Sequence, residues 1–208
     1  MLALAVVGPI ASGKSVVLRT LAELGAATCA ADDLGRELTQ VGQPALARIF
    51  AEFGEQYRGA DGSLDRQALA RLIFSDDGAR ARLEDLLHPL ILERIRAWLD
   101  QRRSGDAPPP VAAVEVLHLP AKRQARTPFD VVWLCTAPEA VRRERLMTRD
   151  GLAPEEARQR LAAQKALNIE DCRPDLVLDA SGSREQLRAG VVAAWRELLS
   201  AAGPGGDA

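Results

Sequence analysis

Zinc chemistry and a disulfide framework both lack material in this chain. It has three cysteines, Cys29, Cys135 and Cys172, odd in number and far apart, with no Cys-x-x-Cys pair, and two histidines, His88 and His118. Aromatic residues are only 4% of the sequence, so aliphatic side chains and alanine must fill any core; the hydrophobic share of 47% is ordinary for a packed protein. No apolar run approaches the ~20 residues that span a bilayer. The N-terminal apolar run has no basic start and reads as a core strand, not a signal peptide. These absences point to a cytoplasmic protein without a membrane partner. A net charge of −2 gives no general pull toward nucleic acid, so any anion site must be local. Lysine is scarce too, with three in 208 residues, and basic charge rests almost wholly on arginine.

One of those lysines stands in an informative place. Gly8, Pro9, Ile10, Ala11, Ser12, Gly13, Lys14 and Ser15 satisfy G-x-x-x-x-G-K-[ST], the phosphate-binding loop, without a mismatch. The apolar run before it reads as a buried strand over residues 2–7, and residues 16–24 read as a helix. Strand, glycine-rich loop and helix start together form a cradle: the glycines let the backbone curl, and the first helical amides and the helix dipole face an anion. In such a loop Lys14 reaches the β- and γ-phosphates of ATP, and the Ser15 hydroxyl takes a place on Mg²⁺.

Further along, Ala26 to Ala30 form a short second strand, followed by Asp32 and Asp33 at the strand end where open α/β sheets bind ligands. Asp32 can orient an acceptor hydroxyl and take its proton, or it can cap a helix beginning at Leu34, a task Asp33 fills equally. Residues 33–103 look nearly all helical: one helix from Pro44 to a stop at Gly54, another capped by Asp65, and a longer one starting near Pro89 with Leu90, Ile91, Ile95, Trp98 and Leu99 on one side. His88, before that start, packs or caps, with an acceptor contact as the sharper alternative. Strands at 111–116, 131–135 and 176–178 alternate with helices opened by Pro138 and Pro154 and a last helix over 185–199. Cys135 lies in an apolar run and should be buried. This alternation gives a parallel sheet covered on both faces.

A phosphate loop alone does not separate kinases, GTPases and motor ATPases. The chain has no Asn-Lys-x-Asp for guanine, and no apolar strand ending in Asp-Glu. Glu115, after the apolar residues 111–114, is a possible aid to Mg²⁺. Arg142, Arg143, Arg145 and Arg149 crowd the segment before Asp150-Gly151, and Arg158 and Arg160 follow it. Arg145 and Arg149 are four apart and share a helical face. Two arginine-lined helices joined at a glycine read as a lid that closes over ATP; a solvated face paired with Glu139, Glu144, Glu155 and Glu156 is the plainer alternative.

Taken together, these segments resemble the dephospho-coenzyme A kinase family over about residues 2–199. The segment Ala30-Ala31-Asp32-Asp33-Leu34-Gly35-Arg36 is similar to the family's Asp-Ala-Asp-x-x-x-Arg. Three segments are similar to its helical lobe: Gly62-Ser63-Leu64-Asp65-Arg66, Ile73-Phe74-Ser75-Asp76 and Leu83-Glu84-Asp85-Leu86-Leu87-His88-Pro89. Arg145-Leu146-Met147-Thr148-Arg149-Asp150 and Arg160-Leu161-Ala162-Ala163-Gln164 resemble its lid. Three departures stand out. Residues 116–121, Val-Leu-His-Leu-Pro-Ala, replace the family's Pro-Leu-Leu-Phe-Glu, Ala30 replaces its first aspartate, and Ala180 replaces an asparagine near the adenine, leaving adenine contacts to backbone groups. The resemblance implies an α/β P-loop kinase: a parallel sheet core over about residues 1–32 and 111–200, a helical acceptor-binding lobe over about 33–103 and an arginine-rich lid over about 142–165; beyond it the glycine-rich end of the chain reads as a disordered tail at 201–208. It implies phosphoryl transfer from Mg-ATP to the ribose 3′-hydroxyl of dephospho-coenzyme A. Lys14 and Arg145 then act with Asp32 as catalytic residues, and Arg149 and Arg160 complete the grip on ATP. Another small-molecule kinase, with a nucleoside or nucleotide acceptor, and a non-catalytic ATP-binding paralogue share the loop and the arginines.

Overall fold

The computed structural model describes residues 1–116, 128–163 and 173–201, except the side chains of Phe74 and Ala163. The segment 117–121, Cys172 and the tail therefore lie outside the described residues. Two compact units emerge: Met1–Ala30 with Leu99–Ala208, and Ala31–Trp98.

The first unit is built on five parallel strands, β1 (Leu2–Val7), β2 (Ala27–Ala30), β3 (Val111–Glu115), β4 (Val131–Thr136) and β5 (Leu176–Asp179), in the order β2-β3-β1-β4-β5. β1 reads as a continuous apolar run because it is central: β3 pairs on one side and β4 on the other, and residues 3–7 have no exposed surface. The chain leaving β1 thus emerges where the strand order reverses, the crevice in which open α/β sheets bind ligands. β3 pairs in a register that sets Glu115 beside Val6 and Ala30, at the carboxyl ends of three strands. Aspartates start two of the strands. The Asp130 carboxylate accepts from the Ala3 amide at 2.8 Å, and the Asp175 carboxylate accepts from the Val132 amide at 2.8 Å.

α1 (Lys14–Glu23) and α8 (Arg184–Ala201) cover one face of this sheet. Val17 and Leu21 of α1 join Leu4, Val6, Trp133, Leu178, Leu187, Val191 and Trp195 in the main core. α6 (Glu139–Asp150) and α7 (Pro154–Ala163) form a helical hairpin that turns at Gly151, whose left-handed φ of 66° closes α6.

The second unit holds α2 (Ala31–Leu38), α3 (Pro44–Phe53), α4 (Arg66–Ser75) and most of α5 (Asp77–Arg103). Pro44 opens α3, Gly54 ends it at φ 102°, and the Asp65 carboxylate caps α4 by accepting from the Ala68 amide at 2.9 Å. Two boundaries differ from the sequence reading. α2 begins at Ala31, not Leu34, so Asp32 and Asp33 occupy its first turn, where the helix dipole favours their charge. No helix starts near Pro89: α5 runs 27 residues straight through it. Proline inside a helix costs about 3 kcal/mol. Anchors on both sides hold it, with Leu83, Leu86 and Leu87 packed on the Ile49–Phe53–Leu69 cluster and Ile95 and Leu99 buried beyond. His88 is consequently exposed in mid-helix, and not at a helix start.

Leu21, fully buried between α1 and the sheet, tests this core. Leu21→Ala should lower unfolding free energy by about 2–5 kcal/mol in urea titration; a loss below ~1 kcal/mol would show that the α1 face is not tightly packed.

Candidate active site

The loop between β1 and α1 bends sharply. Gly8 (φ 153°), Ala11 (φ 59°) and Gly13 (φ 108°) all take positive φ, and Ala11 does so without the freedom of glycine. Close contact adds to the conformational demand at both glycines. A Cβ on Gly8 would sit 2.2 Å from the Cys135 carbonyl oxygen, and one on Gly13 would meet Leu187 of α8 at 3.0 Å. Gly13 is also the N-cap of α1 and offers no side-chain hydrogen bond, leaving the orphan amides of the first turn for an anion. Ser12 is fully buried, and its Oγ has no hydrogen-bond partner among the described residues, a vacant polar valence in a loop that fits a phosphate ligand.

Lys14 opens α1 and is only 6% exposed. Its ammonium donates to the carbonyls of Gly8 at 2.9 Å and Pro9 at 3.1 Å and lies 3.6 Å from the Glu115 carboxylate. The loop thus folds back on its own lysine and fixes where the charge sits. Ser15, the next residue, is exposed. The described residues hold no group of three or more His, Cys, Asp or Glu able to bind a metal. The oxygen donors near the loop, Ser15 and Glu115, fit a cation such as Mg²⁺ that keeps most of its ligands from phosphates and water.

Arg145 of α6 belongs to this loop. Its guanidinium donates to the carbonyls of Ala11 at 3.3 Å and Ser12 at 3.4 Å, and to those of Ala180 and Gly182 after β5. It therefore ties the loop to the segment where Ala180 stands, and Ala180 itself is buried. Leu146 and Leu161 pack against Ile10 and Ala11, seating the α6–α7 hairpin on the loop. Arg149 and Arg160 go elsewhere. Arg149 grips Asp150 with two hydrogen bonds at 2.6 and 2.9 Å, and Arg160 reaches the same carboxylate at 3.7 Å. The Arg149 guanidinium holds the Asp150 carboxyl below its ordinary range. Of the other arginines of the hairpin, Arg158 pairs with Glu155 and Arg142 donates to the Ala137 carbonyl.

Cys135 is a contact that composition did not reveal. Buried at the end of β4, its thiol donates to the Ser12 carbonyl at 3.1 Å. Burial pushes that thiol up to about 11, against the opposing pull of the Ser12 hydrogen bond, Lys14 and Arg145. Neither Cys29 nor Cys135 is in a disulfide.

Asp32 sits in the second unit, on the wall of a cavity of about 280 Å³. Asp32, Gly35 and Arg36 of α2 and Thr39 just beyond its end line it at the i, i+3, i+4, i+7 spacing of one helical face, and Arg66 of α4 joins them. Its floor is apolar, with Ile49 and Leu69 buried, and its charged rim of Asp32, Arg36 and Arg66 is exposed.

A five-stranded parallel sheet with a phosphate loop at its central strand, a buried loop lysine and an arginine from a neighbouring helical hairpin defines a P-loop kinase fold. The particular family follows from comparison: the dephospho-CoA kinase family model matches residues 2–186, and the chain belongs to that family. A dephospho-CoA kinase of Frankia casuarinae is 38% identical over 200 residues, covering 96% of this chain and 85% of that protein. One from Geobacter metallireducens is 39% identical, covering 96% and 98%. The crystal structure of TT1252 from Thermus thermophilus is 30% identical with a TM-score of 0.69, over 95% of this chain and 97% of that one.

Two outcomes test this geometry. Gly8→Ala should weaken ATP binding at least ~10-fold in calorimetric titration, because the loop must move off Cys135 to admit the methyl group; unchanged affinity would contradict the tight approach. At pH 8 a thiol titrating near 11 is only about 0.1% thiolate. Iodoacetamide should therefore label Cys29 well before Cys135 in peptide mass mapping, and equal rates would refute the burial of Cys135.

Proposed function

We propose that this chain transfers the γ-phosphoryl group of ATP to the ribose 3′-hydroxyl of dephospho-coenzyme A, giving coenzyme A and ADP. The observation that carries the reading is the Lys14 ammonium, buried at the phosphate loop of a chain that belongs to this family. In the proposed step a bond forms between the 3′-oxygen and the γ-phosphorus. The bond from that phosphorus to the β–γ bridging oxygen breaks, and the hydroxyl proton passes to the Asp32 carboxylate.

Each residue has a defined task in this reading. The residues 8–13 and the first amides of α1 hold the phosphates, and Lys14 exchanges loop carbonyls for phosphate oxygens. Arg145 fixes the loop against the segment after β5 and brings positive charge beside it. Arg149 and Arg160 add to the grip only by leaving Asp150, which makes them the closing part of the lid. Mg²⁺, when bound, neutralises charge on the β- and γ-phosphates, and Ser15 and Glu115 are the residues that would hold it. Most of the rate gain then comes from positioning and preset charge. The partners are two dissolved small molecules in the cytoplasm, with no nucleic acid; the net charge of −2 suits that.

Asp32→Asn should cut kcat by about 100-fold or more while ATP affinity stays within about twofold, since general-base help is worth 10²–10⁴. Lys14→Ala should lose turnover and ATP affinity together. Coupled steady-state assay and ATP titration read both. Full turnover in Asp32→Asn would remove Asp32 from the mechanism, and unchanged kinetics in Lys14→Ala would remove the phosphate role of Lys14.

A further inference from the structure

Several arginines among the described residues face carboxylates. Arg36 pairs with Asp33, Arg58 with Glu55, Arg82 with Glu52, Arg94 with Glu37 and Arg188 with Glu23. Arg66 does not. Among the described residues its guanidinium donates to the Thr39 hydroxyl at 2.8 Å and to the Arg36 carbonyl at 3.4 Å, and it has no carboxylate partner. Thr39 is 3% exposed, and its own hydroxyl donates to the Gly35 carbonyl at 2.9 Å, so its orientation is set from beneath. A guanidinium has five N–H donors in a rigid fork. Here neutral oxygens orient Arg66 without cancelling its charge, and the remaining donors lie on the rim of the α2–α4 cavity. That is a preorganised receptor for an anion.

The neighbours of Arg66 say which anion. The cavity of about 280 Å³ is lined on its floor by Leu69, Ile73 and Leu87, so the ligand must join an anionic group to an apolar or uncharged stretch. Small-molecule pockets run from roughly 300 to 1,000 Å³, so this one holds part of a large substrate. Asp32 stands on the same face of α2 one turn from Arg36. A hydroxyl presented to Asp32 and an anion presented to Arg36 and Arg66 are therefore about one helical turn apart, roughly 5 Å along α2. A ribose carries its 3′-hydroxyl and its 5′-substituent at about that separation.

We propose that Arg66, held by Thr39 and assisted by Arg36, binds the diphosphate on the 5′ side of the acceptor ribose, and that this contact selects acceptors bearing a diphosphate-linked tail. The inference rests on the reading of the acceptor given above. Arg66 is a specificity residue: it sets which hydroxyl compound reaches Asp32, and the apolar floor takes the uncharged tail.

Calorimetric titration of the full chain tests this with three probes: dephospho-coenzyme A, 4′-phosphopantetheine and pantetheine. The latter two are the tail with and without a phosphate, and neither carries an adenine for the ATP site. Wild type should bind 4′-phosphopantetheine at least tenfold more tightly than pantetheine. Arg66→Met should bring that ratio near one and weaken dephospho-coenzyme A at least tenfold, with ATP affinity and melting temperature unchanged. Arg66→Lys should recover part of the ratio, as a point charge without the fork. A wild type that does not discriminate the two fragments, an Arg66→Met that keeps the ratio, or a parallel loss of ATP affinity would overturn the proposal. Product analysis on the same samples separates the two readings. Coenzyme A formed with an unchanged fragment ratio overturns this inference alone, whereas fragment discrimination without coenzyme A formation overturns the proposed reaction.

Discussion

A buried ammonium governs the first unit. Lys14 is 6% exposed, and a charge that far from water must be met by oxygens or it destabilises the fold by several kcal/mol. The protein meets it with two loop carbonyls and Glu115. Each provision constrains something else. The carbonyls of Gly8 and Pro9 turn inward only if the loop accepts positive φ at Gly8, Ala11 and Gly13. Glu115 arrives only if β3 pairs with β1 in the observed register, Val6 beside Glu115. A loop bent this way exposes its own carbonyls, and Arg145 and the Cys135 thiol occupy two of them, at Ser12 and Ala11. The backbone conformation of the loop is therefore set by the fold itself.

The arginines of the α6–α7 hairpin divide into two kinds by partner. Arg145 donates to backbone carbonyls and acts as a strut between the loop and the segment after β5. Arg149 and Arg160 share one side-chain carboxylate, Asp150, a partnership between exposed groups. In the second unit Arg66 is a third kind, oriented by neutral groups and left with its charge.

Local pattern made much of this legible. The strand, loop and helix over residues 2–24 declare themselves because glycine spacing, apolar run and helical periodicity are short-range and agree. Asp65 as a cap, Pro44 as a helix opening and Gly151 as a break are local signals of the same type. Where partners lie far apart in sequence the pattern falls silent. Arg66 and Thr39 are 27 residues apart, and Cys135 and Ser12 are 123 apart. Contacts to backbone carbonyls, which Arg145 and Lys14 both make, leave no trace in residue identity at all. Pro89 misled because its local preference to end a helix is overridden by packing on both sides of it. The role of Asp32 rests on family resemblance; the cavity lining adds that Asp32 and Arg36 of α2 and the following Thr39 share one face.

Family membership and the geometry of the loop lead to one reaction, and its acceptor is the central claim. Incubation of the purified protein with Mg-ATP and dephospho-coenzyme A, with adenosine and AMP as parallel acceptors, tests it most directly when products are followed by mass and the phosphorylated position is mapped by NMR. Coenzyme A, phosphorylated at the ribose 3′-oxygen, is expected in clear preference to the other products. Folded protein that binds ATP yet forms no coenzyme A, or that phosphorylates adenosine or AMP in preference, would contradict it.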